Sequence, residues 1–470
     1  MNNKLYTILR TFDKIEMNRL EKYILSPYFN KNQYTIQLFG LLMKNVESKN
    51  AKELVKEDVW KILFEKEKYD DVRFRKINSD LLKLVEGYLA QQLYDENPLH
   101  QAIYLMEAVT RKKLDKLHNS TVKSAQELSK KQQYRPANYY YYQFQIEKNY
   151  YKIMDFQRDD KSNIEEIINN LDQFYLAEKL KYYLDVLARQ KVISHEYNLL
   201  FIEEIKAHLE KVNYEAIPPV SIYYHIYLTY IYPDNDEHYY KLKELVQKNI
   251  NIFPPDEAYS IYLTMLDYCI AKSNKNIGGF LEEYVNMFDE LLKNRELIDQ
   301  IKISPSEFRN TVVAANRIKK YEWAENLIVN YQHKLPEDIR ENAVKTNLAS
   351  VYFYQKKYDK VIDLLREVEF PDVLANLNAK SLLLLSYYDM EEINLLYSFI
   401  ESFKIYITRH KDIAPKPKEA FLNQIKFVRK LSELPPRDRK ALQKLKEELE
   451  ATKNVASLNW LKEKVAELER

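Results

Sequence analysis

Between Asn310 and Phe403 the chain repeats one pattern of side chains three times. The central copy reads Leu348, Ala349 and Tyr352, then Tyr358, Val361, Leu365 and Val368. The copy before it reads Val312, Ala315, Tyr321, Ala324, Ile328 and Tyr331; the copy after it reads Leu383, Leu384, Tyr387, Ile393, Leu396, Ile400 and Phe403. Tyr321 and Tyr358 are 37 residues apart, and Tyr358 and Ile393 are 35 apart. Apolar residues three and four apart within each copy describe two helices per repeat. A period of this length is that of a helical solenoid, because one hairpin cannot bury its own apolar face and must stack on the next. Small residues at Ala324 and Ala349 allow close helix approach, and the tyrosines fill the space between helices and toward the next repeat.

The pattern resembles that of the tetratricopeptide repeat family: L-G-x-x-Y, then an aromatic residue, then A-x-x-x-F. The resemblance covers about residues 305–405. Val361 and Leu396 stand where the family usually has Ala, and Lys356 stands where the turn usually has Gly. It implies an all-α chain, a right-handed superhelical solenoid of antiparallel helix pairs, here with a small helical N-terminal head. It also implies that the first helix of each pair lines a concave groove. That rule points to Arg309, Val313 and Asn316, then to Thr346, Ser350 and Phe353, then to Leu385 and Tyr388. Of the residues with which one family variant grips a peptide's terminal carboxylate, only Asn347 and loosely Arg309 have counterparts, while Asn378 and Leu382 hold the last two places. Carboxylate clamping is therefore not expected. A mixed apolar and polar lining suits an extended peptide or a helix laid in the groove.

Outside this stretch, proline and glycine mark the helix pairs. The chain of 470 residues has 4 glycines and 15 prolines, too few glycines for many tight hairpins or phosphate loops. Helices are expected over 220–232 and 237–252, then 256–272 and 279–294, with Pro219 and Pro255 36 residues apart. The array should thus begin well before residue 305. Earlier, 163–188 and 191–213 read as a pair, and 99–133 as one long helix or a broken pair. The segment 138–151 carries Tyr139, Tyr140, Tyr141, Tyr142, Phe144, Tyr150 and Tyr151, either packed on both sides or offered as a binding face. Later helices are expected at 418–432, 437–450 and 455–468, the last with a narrow apolar stripe suited to a terminal cap. The expected organisation is a head at 1–97, divergent helical repeats at 98–303, tetratricopeptide-like repeats at 304–411, and basic C-terminal helices with a cap at 412–470.

The head should hold helices near 3–11, 16–25, 33–47, 57–64 and 73–94, with the aromatics of Ser26-Pro27-Tyr28-Phe29-Asn30 plugging its core. Several short helices followed by a longer one also fit a helix-turn-helix. Acidic Asp70, Asp71, Asp80 and Glu86, however, interrupt the positive charge of Arg73, Arg75, Lys76 and Lys83. A structural cap or interaction module is the leading reading of the head.

Chemistry is sparse in this chain. The one cysteine, Cys269, lies in an apolar helical pattern and reads as a buried thiol. No two of the eight histidines are three to five residues apart; the nearest to a cluster is His195 and His208 with Glu203 and Glu204 between them. No nucleophile elbow, phosphate loop or dinucleotide motif occurs, and paired acids such as Asp159-Asp160 fit solvated helix faces. The expectation is therefore no enzyme, no catalytic or metal site and no cofactor. Apolar runs are too short to span a bilayer and no signal-like segment opens the chain, so a cytoplasmic protein is expected. Charge is balanced at +2 overall, yet Lys404–Lys446 holds thirteen Lys or Arg against four Asp or Glu. That segment is either a solvated outer face or a site for an anionic partner, with Arg437, Arg439, Lys440 and Lys444 the first candidates. The leading functional expectation is a non-catalytic helical-repeat scaffold or adaptor that binds a protein or peptide in its groove. The alternative is a nucleic-acid-associated regulator that uses the basic 404–446 segment or the head.

Overall fold

A computed structural model describes residues 4–48, 54–65, 67–152, 162–190, 195–275, 277–366, 368–370, 372–435 and 438–469. Among them are 24 α-helices, two short 3-10 turns and no strand. The chain divides into two compact units, Met1–Lys179 and Leu180–Arg470. The expected divisions at 97, 303 and 411 fall inside these units.

The first unit opens with α1 (Lys4–Leu9), α2 (Lys14–Leu25), α3 (Gln33–Glu47), α4 (Lys56–Leu63) and α5 (Asp71–Asp95). Helix α2 starts at a capping box in which Asp13 and Glu16 satisfy each other's backbone N–H groups. Leu20, Leu38, Trp60, Phe74 and Leu81 meet in the core of these five helices. The turn after α2 departs from expectation. Tyr28 is 88% exposed and Phe29 lies on the surface, stacked 4.1 Å from Tyr23. Asn30 is buried instead, because the turn's backbone needs partners: its amide donates to the Ile24 carbonyl, and its oxygen accepts from Asn32 N–H and Thr35 Oγ1. A second cluster joins α6 (Pro98–Arg111), α7 (Asp115–Lys130) and α8 (Ala137–Tyr151) around Met106, Val122 and Ile146. Every tyrosine of α8 is half-buried, and Tyr142 and Tyr150 lean on this cluster. Helix α9 (Ile164–Gln190) carries the boundary between the units.

The second unit continues with α10 (Ile202–Leu209), α11 (Pro218–Ile231), α12 (Glu237–Asn249), α13 (Pro255–Asn274), α14 (Phe280–Lys293) and the single turn α15 (Arg295–Ile298). Then come α16 (Pro305–Arg317) with α17 (Tyr321–Tyr331), α18 (Arg340–Tyr354) with α19 (Tyr358–Leu365), and α20 (Val373–Asp389) with α21 (Ile393–Arg409). The last three are α22 (Pro415–Ser432), α23 (Arg439–Ala451) and α24 (Leu458–Glu469). The partners in each hairpin α11–α12, α13–α14, α16–α17, α18–α19 and α20–α21 pack together, and α16, α18, α20 and α22 pack in succession. Only 202–209 of the second helix expected at 191–213 is helical among the described residues, and Phe201 in left-handed backbone (φ 61°) precedes it.

Tyrosine serves this stacking directly, since its ring packs between hairpins while its hydroxyl reaches the next one. Tyr239 donates to Glu283 at 3.0 Å, Tyr259 to Glu307 at 2.8 Å, and Tyr331 to the Leu292 carbonyl at 3.3 Å. Each of these hydroxyls is thereby satisfied by a residue of a neighbouring helix pair.

The three copies of the sequence pattern also share one turn. Lys319, Lys356 and Glu391 have φ of 62°, 60° and 58°, and the following N–H groups of Lys320, Lys357 and Glu392 bond back to the carbonyls of Ala315, Tyr352 and Tyr387. This is a Schellman closure of the first helix. Lys113, with φ 53°, makes the same turn between α6 and α7, where Leu114 N–H bonds the Val109 carbonyl. Left-handed backbone costs a side-chain-bearing residue about 1–2 kcal/mol, and glycine gives part of that back as chain entropy. Lys356→Gly should therefore raise the stability of the second unit by about 0.5 kcal/mol, and Lys356→Val should lower it. Urea denaturation of the full chain measures both, and a glycine variant less stable than the parent would refute the strain argument.

Candidate peptide-binding face

Helices α16, α18 and α20 supply the residues expected to line a groove. The starts of α16 and α20 are well specified: Ser304 and Glu307 form a capping box around Pro305, and Asp372 caps α20 through Ala375 N–H. Of the eight expected residues, Asn316, Thr346, Ser350, Phe353 and Leu385 are buried, while Arg309, Val313 and Tyr388 are half-buried. The structure brings two of them into direct contact, with Asn316 Nδ2 donating to Ser350 Oγ at 3.2 Å between α16 and α18. Thr346 Oγ1 is turned onto the Asn342 carbonyl of its own helix. Phe353 and Leu385 belong to the core cluster that also holds Leu461 and Val465 of α24.

Polar atoms on this face are incompletely paired. The buried side-chain oxygens of Asn316 and Asn347 have no hydrogen-bond partner among the described residues. Arg309 stands two turns before Asn316 on α16, where its Nη2 donates to Asn310 Oδ1 at 3.1 Å. Burial holds the Arg309 guanidinium below the usual arginine range, against the opposing pull of Asp372.

Helix α24 packs on α22 and α23, and its side chains also reach the end of α20. Trp460 packs edge-on to Tyr388 with ring centres 5.3 Å apart, and its Nε1 donates to Asp389 Oδ2 at 3.1 Å. Lys464 Nζ reaches Asp389 Oδ1 at 2.8 Å, and the two side chains are only 14% and 6% exposed. Burial alone would lower the pKa of Lys464, but its bonds to Asp389 and Glu467 outweigh that and hold it above the usual lysine range. Burial, followed by the Asp389 carboxylate, pushes the Tyr358 hydroxyl up. Asp389 occupies the last position of α20, where the helix dipole disfavours an anion. The sequence reading missed this trio. Its available signals were a tryptophan with a lysine four residues later in the final helix, and an acid at a helix C-terminus.

The other expected sites fare differently. Arg437 lies outside the described residues. Arg439, Lys440 and Lys444 are exposed on α23. Much of the basic segment is compensated locally: Glu448 holds Lys426 and Lys430, Arg429 bonds Glu433 and Glu401, Lys404 pairs with Glu401, and Lys446 with Glu469. In the head, Arg73 is engaged by Glu67 and lies over the Phe64 ring, while Arg75 pairs with Asp71. Cys269 is fully buried, its Sγ donates to the Tyr239 hydroxyl at 3.2 Å, and burial pushes the thiol up to about 12. His208 bonds the Tyr214 hydroxyl through Nε2, and Glu203 pairs with Lys206. Among the described residues no group of three or more His, Cys, Asp or Glu is placed to hold a metal ion. No described helix is long and apolar enough to cross a membrane. Asp159-Asp160 lies outside the described residues.

No protein-family model, curated protein or solved structure matches the chain.

Proposed function

We propose that the chain is a tetratricopeptide-like, non-catalytic helical-repeat scaffold of the cytoplasm that binds a protein or peptide along the first helices of its hairpins, in a right-handed array. The observation that carries this reading is what α16 leaves open: Arg309 and Val313, one turn apart, stay half-buried, while Asn316, Thr346, Ser350, Phe353 and Leu385 are buried. A guanidinium one turn from an apolar side chain suits an extended chain or a helix laid along this face. The polyanion reading has less support, because Glu448 of α23 holds Lys426 and Lys430, Glu433 at the end of α22 holds Arg429, and Glu469 of α24 holds Lys446.

A photo-crosslinking residue at Val313 tests the proposal. In extract from the source cells it should give one dominant protein adduct, and Arg309→Ala should reduce that adduct about tenfold, the value of one charge-assisted hydrogen bond. The control is the same crosslinker at Val329, which is 60% exposed on α17. Equal adducts from Val313 and Val329 would remove the proposal.

A further inference from the structure

We infer that the surface of α20 beneath α24, formed by Leu385, Tyr388 and Asp389, is a helix-docking groove that the chain's own C-terminal helix keeps filled, and that a partner's amphipathic helix of the same chemistry takes the same place. The inference rests on the peptide-binding reading of the first helices and gives it a ligand class. The class is read from α24 itself: an aromatic-apolar pair, Trp460-Leu461, followed four residues later by a lysine-apolar pair, Lys464-Val465. At helical spacing both pairs fall on one face.

Three observations separate α24 from an ordinary cap. Few of its side chains are buried: beside its packing on α22 and α23, only Leu461 and Val465 of its twelve residues are buried, whereas α18 buries seven and α20 eight. The chain enters it through Asn454 and Ser457, two residues in left-handed backbone (φ 54° and 53°). Most telling is the ion pair. A helix needed for stability alone is served at least as well by an apolar contact, because a buried ion pair spends much of its attraction on desolvation. What such a pair supplies is register. Asp389, set at the unfavourable end of α20, takes its cation from Lys464 and an N–H from Trp460 at the same time, and it accepts only a helix that presents both. Ser457 Oγ, 3.5 Å from Ser381 Oγ, places the start of α24 near the middle of α20.

The test uses the full chain and a labelled peptide of residues 455–469. With α24 in place, its tether supplies a competing helix at about millimolar effective concentration, so the parent chain should bind the peptide weakly. A chain carrying Trp460→Ala and Lys464→Ala should bind it at least tenfold more tightly by fluorescence anisotropy. Adding Asp389→Asn to that chain, or Lys464→Glu to the peptide, should return binding to the parent level or below. In the parent chain, amide exchange in α24 should be faster than in α20 and α22. The inference is overturned if the double variant binds no better than the parent, if Asp389→Asn makes no difference, or if α24 exchanges only together with α20 and α22. A chain that crosslinks selectively at Val313 but takes no α24 peptide loses helix docking and keeps the broader reading; the converse result keeps helix docking alone.

Discussion

Replacing Trp60 by Ala is expected to lower the stability of the N-terminal unit by about 3–5 kcal/mol. The indole is 1% exposed, and ring centres of Phe64, Tyr69 and Phe74 stand 4.2, 5.7 and 6.5 Å from it. Alanine removes that apolar surface and leaves a cavity that short, mutually braced helices cannot close. Two further losses follow. The Nε1 donor to the Glu67 carbonyl disappears, and Arg73 gives up one of the rings over which it sits, 5.8 Å from the Trp60 centre and 4.1 Å from that of Phe64. Hydrogen exchange of the α3 and α5 amides measures the effect without a fluorescent reporter. A loss below about 1 kcal/mol would mean that the head does not depend on this aromatic cluster.

Much of this fold was legible because helices write their periodicity into the chain. The stretch expected over 33–47 is α3 to the residue, and of the two readings of 99–133, one long helix or a broken pair, the structure has the pair, broken at the Lys113 turn. Even the departure from the family pattern at Lys356 was informative, since the residue in glycine's usual place adopts glycine's usual backbone. Failures arose where periodicity is silent about partners. His195 to Leu200 has helical apolar spacing but forms no helix in the structure. The aromatics of the 26–30 turn, expected to plug the core, lie on the surface, because the turn needs Asn30 inside for its hydrogen bonds.

The candidate site failed to show for a related reason. A first helix has one stripe toward the next repeat and another toward a ligand, and both recur every three or four residues. Asn316, Ser350 and Phe353 satisfy either description, and the structure puts them inside. Asp389 and Lys464 are 75 residues apart in sequence, and nothing local to either announces the other. Long-range ion pairs of this kind are invisible to window-based reading. They are also where a repeat protein can encode a choice of ligand, because its remaining buried residues serve stacking.

Acid should weaken the second unit through His225. Burial, and then the charge of nearby His238, lowers its pKa to about 4 from the ordinary histidine value of 6.5. Lys241 acts in the same direction, while Glu215 and Glu244 oppose. The ring's Nδ1 is buried without a hydrogen-bond partner among the described residues, and the His238 ring centre lies 6.4 Å away, so no hydrogen bond there offsets the cost of protonation. A base whose folded pKa is depressed is held neutral in the native state. Its stabilising share is complete above the unfolded pKa near 6.5. As pH falls below 6.5 the unfolded chain takes up a proton that the folded chain refuses until about pH 4, so stability falls across that window and the loss levels off below it. The full shift corresponds to about 3 kcal/mol, of which about 2 kcal/mol falls between pH 7.5 and pH 5; solvent access to part of the ring reduces the expected loss in that window to about 1 kcal/mol. His225→Gln, which cannot charge, should flatten that slope by the same amount in urea titrations at each pH while costing little at pH 7.5. An unchanged slope in the variant would assign the acid sensitivity to other groups.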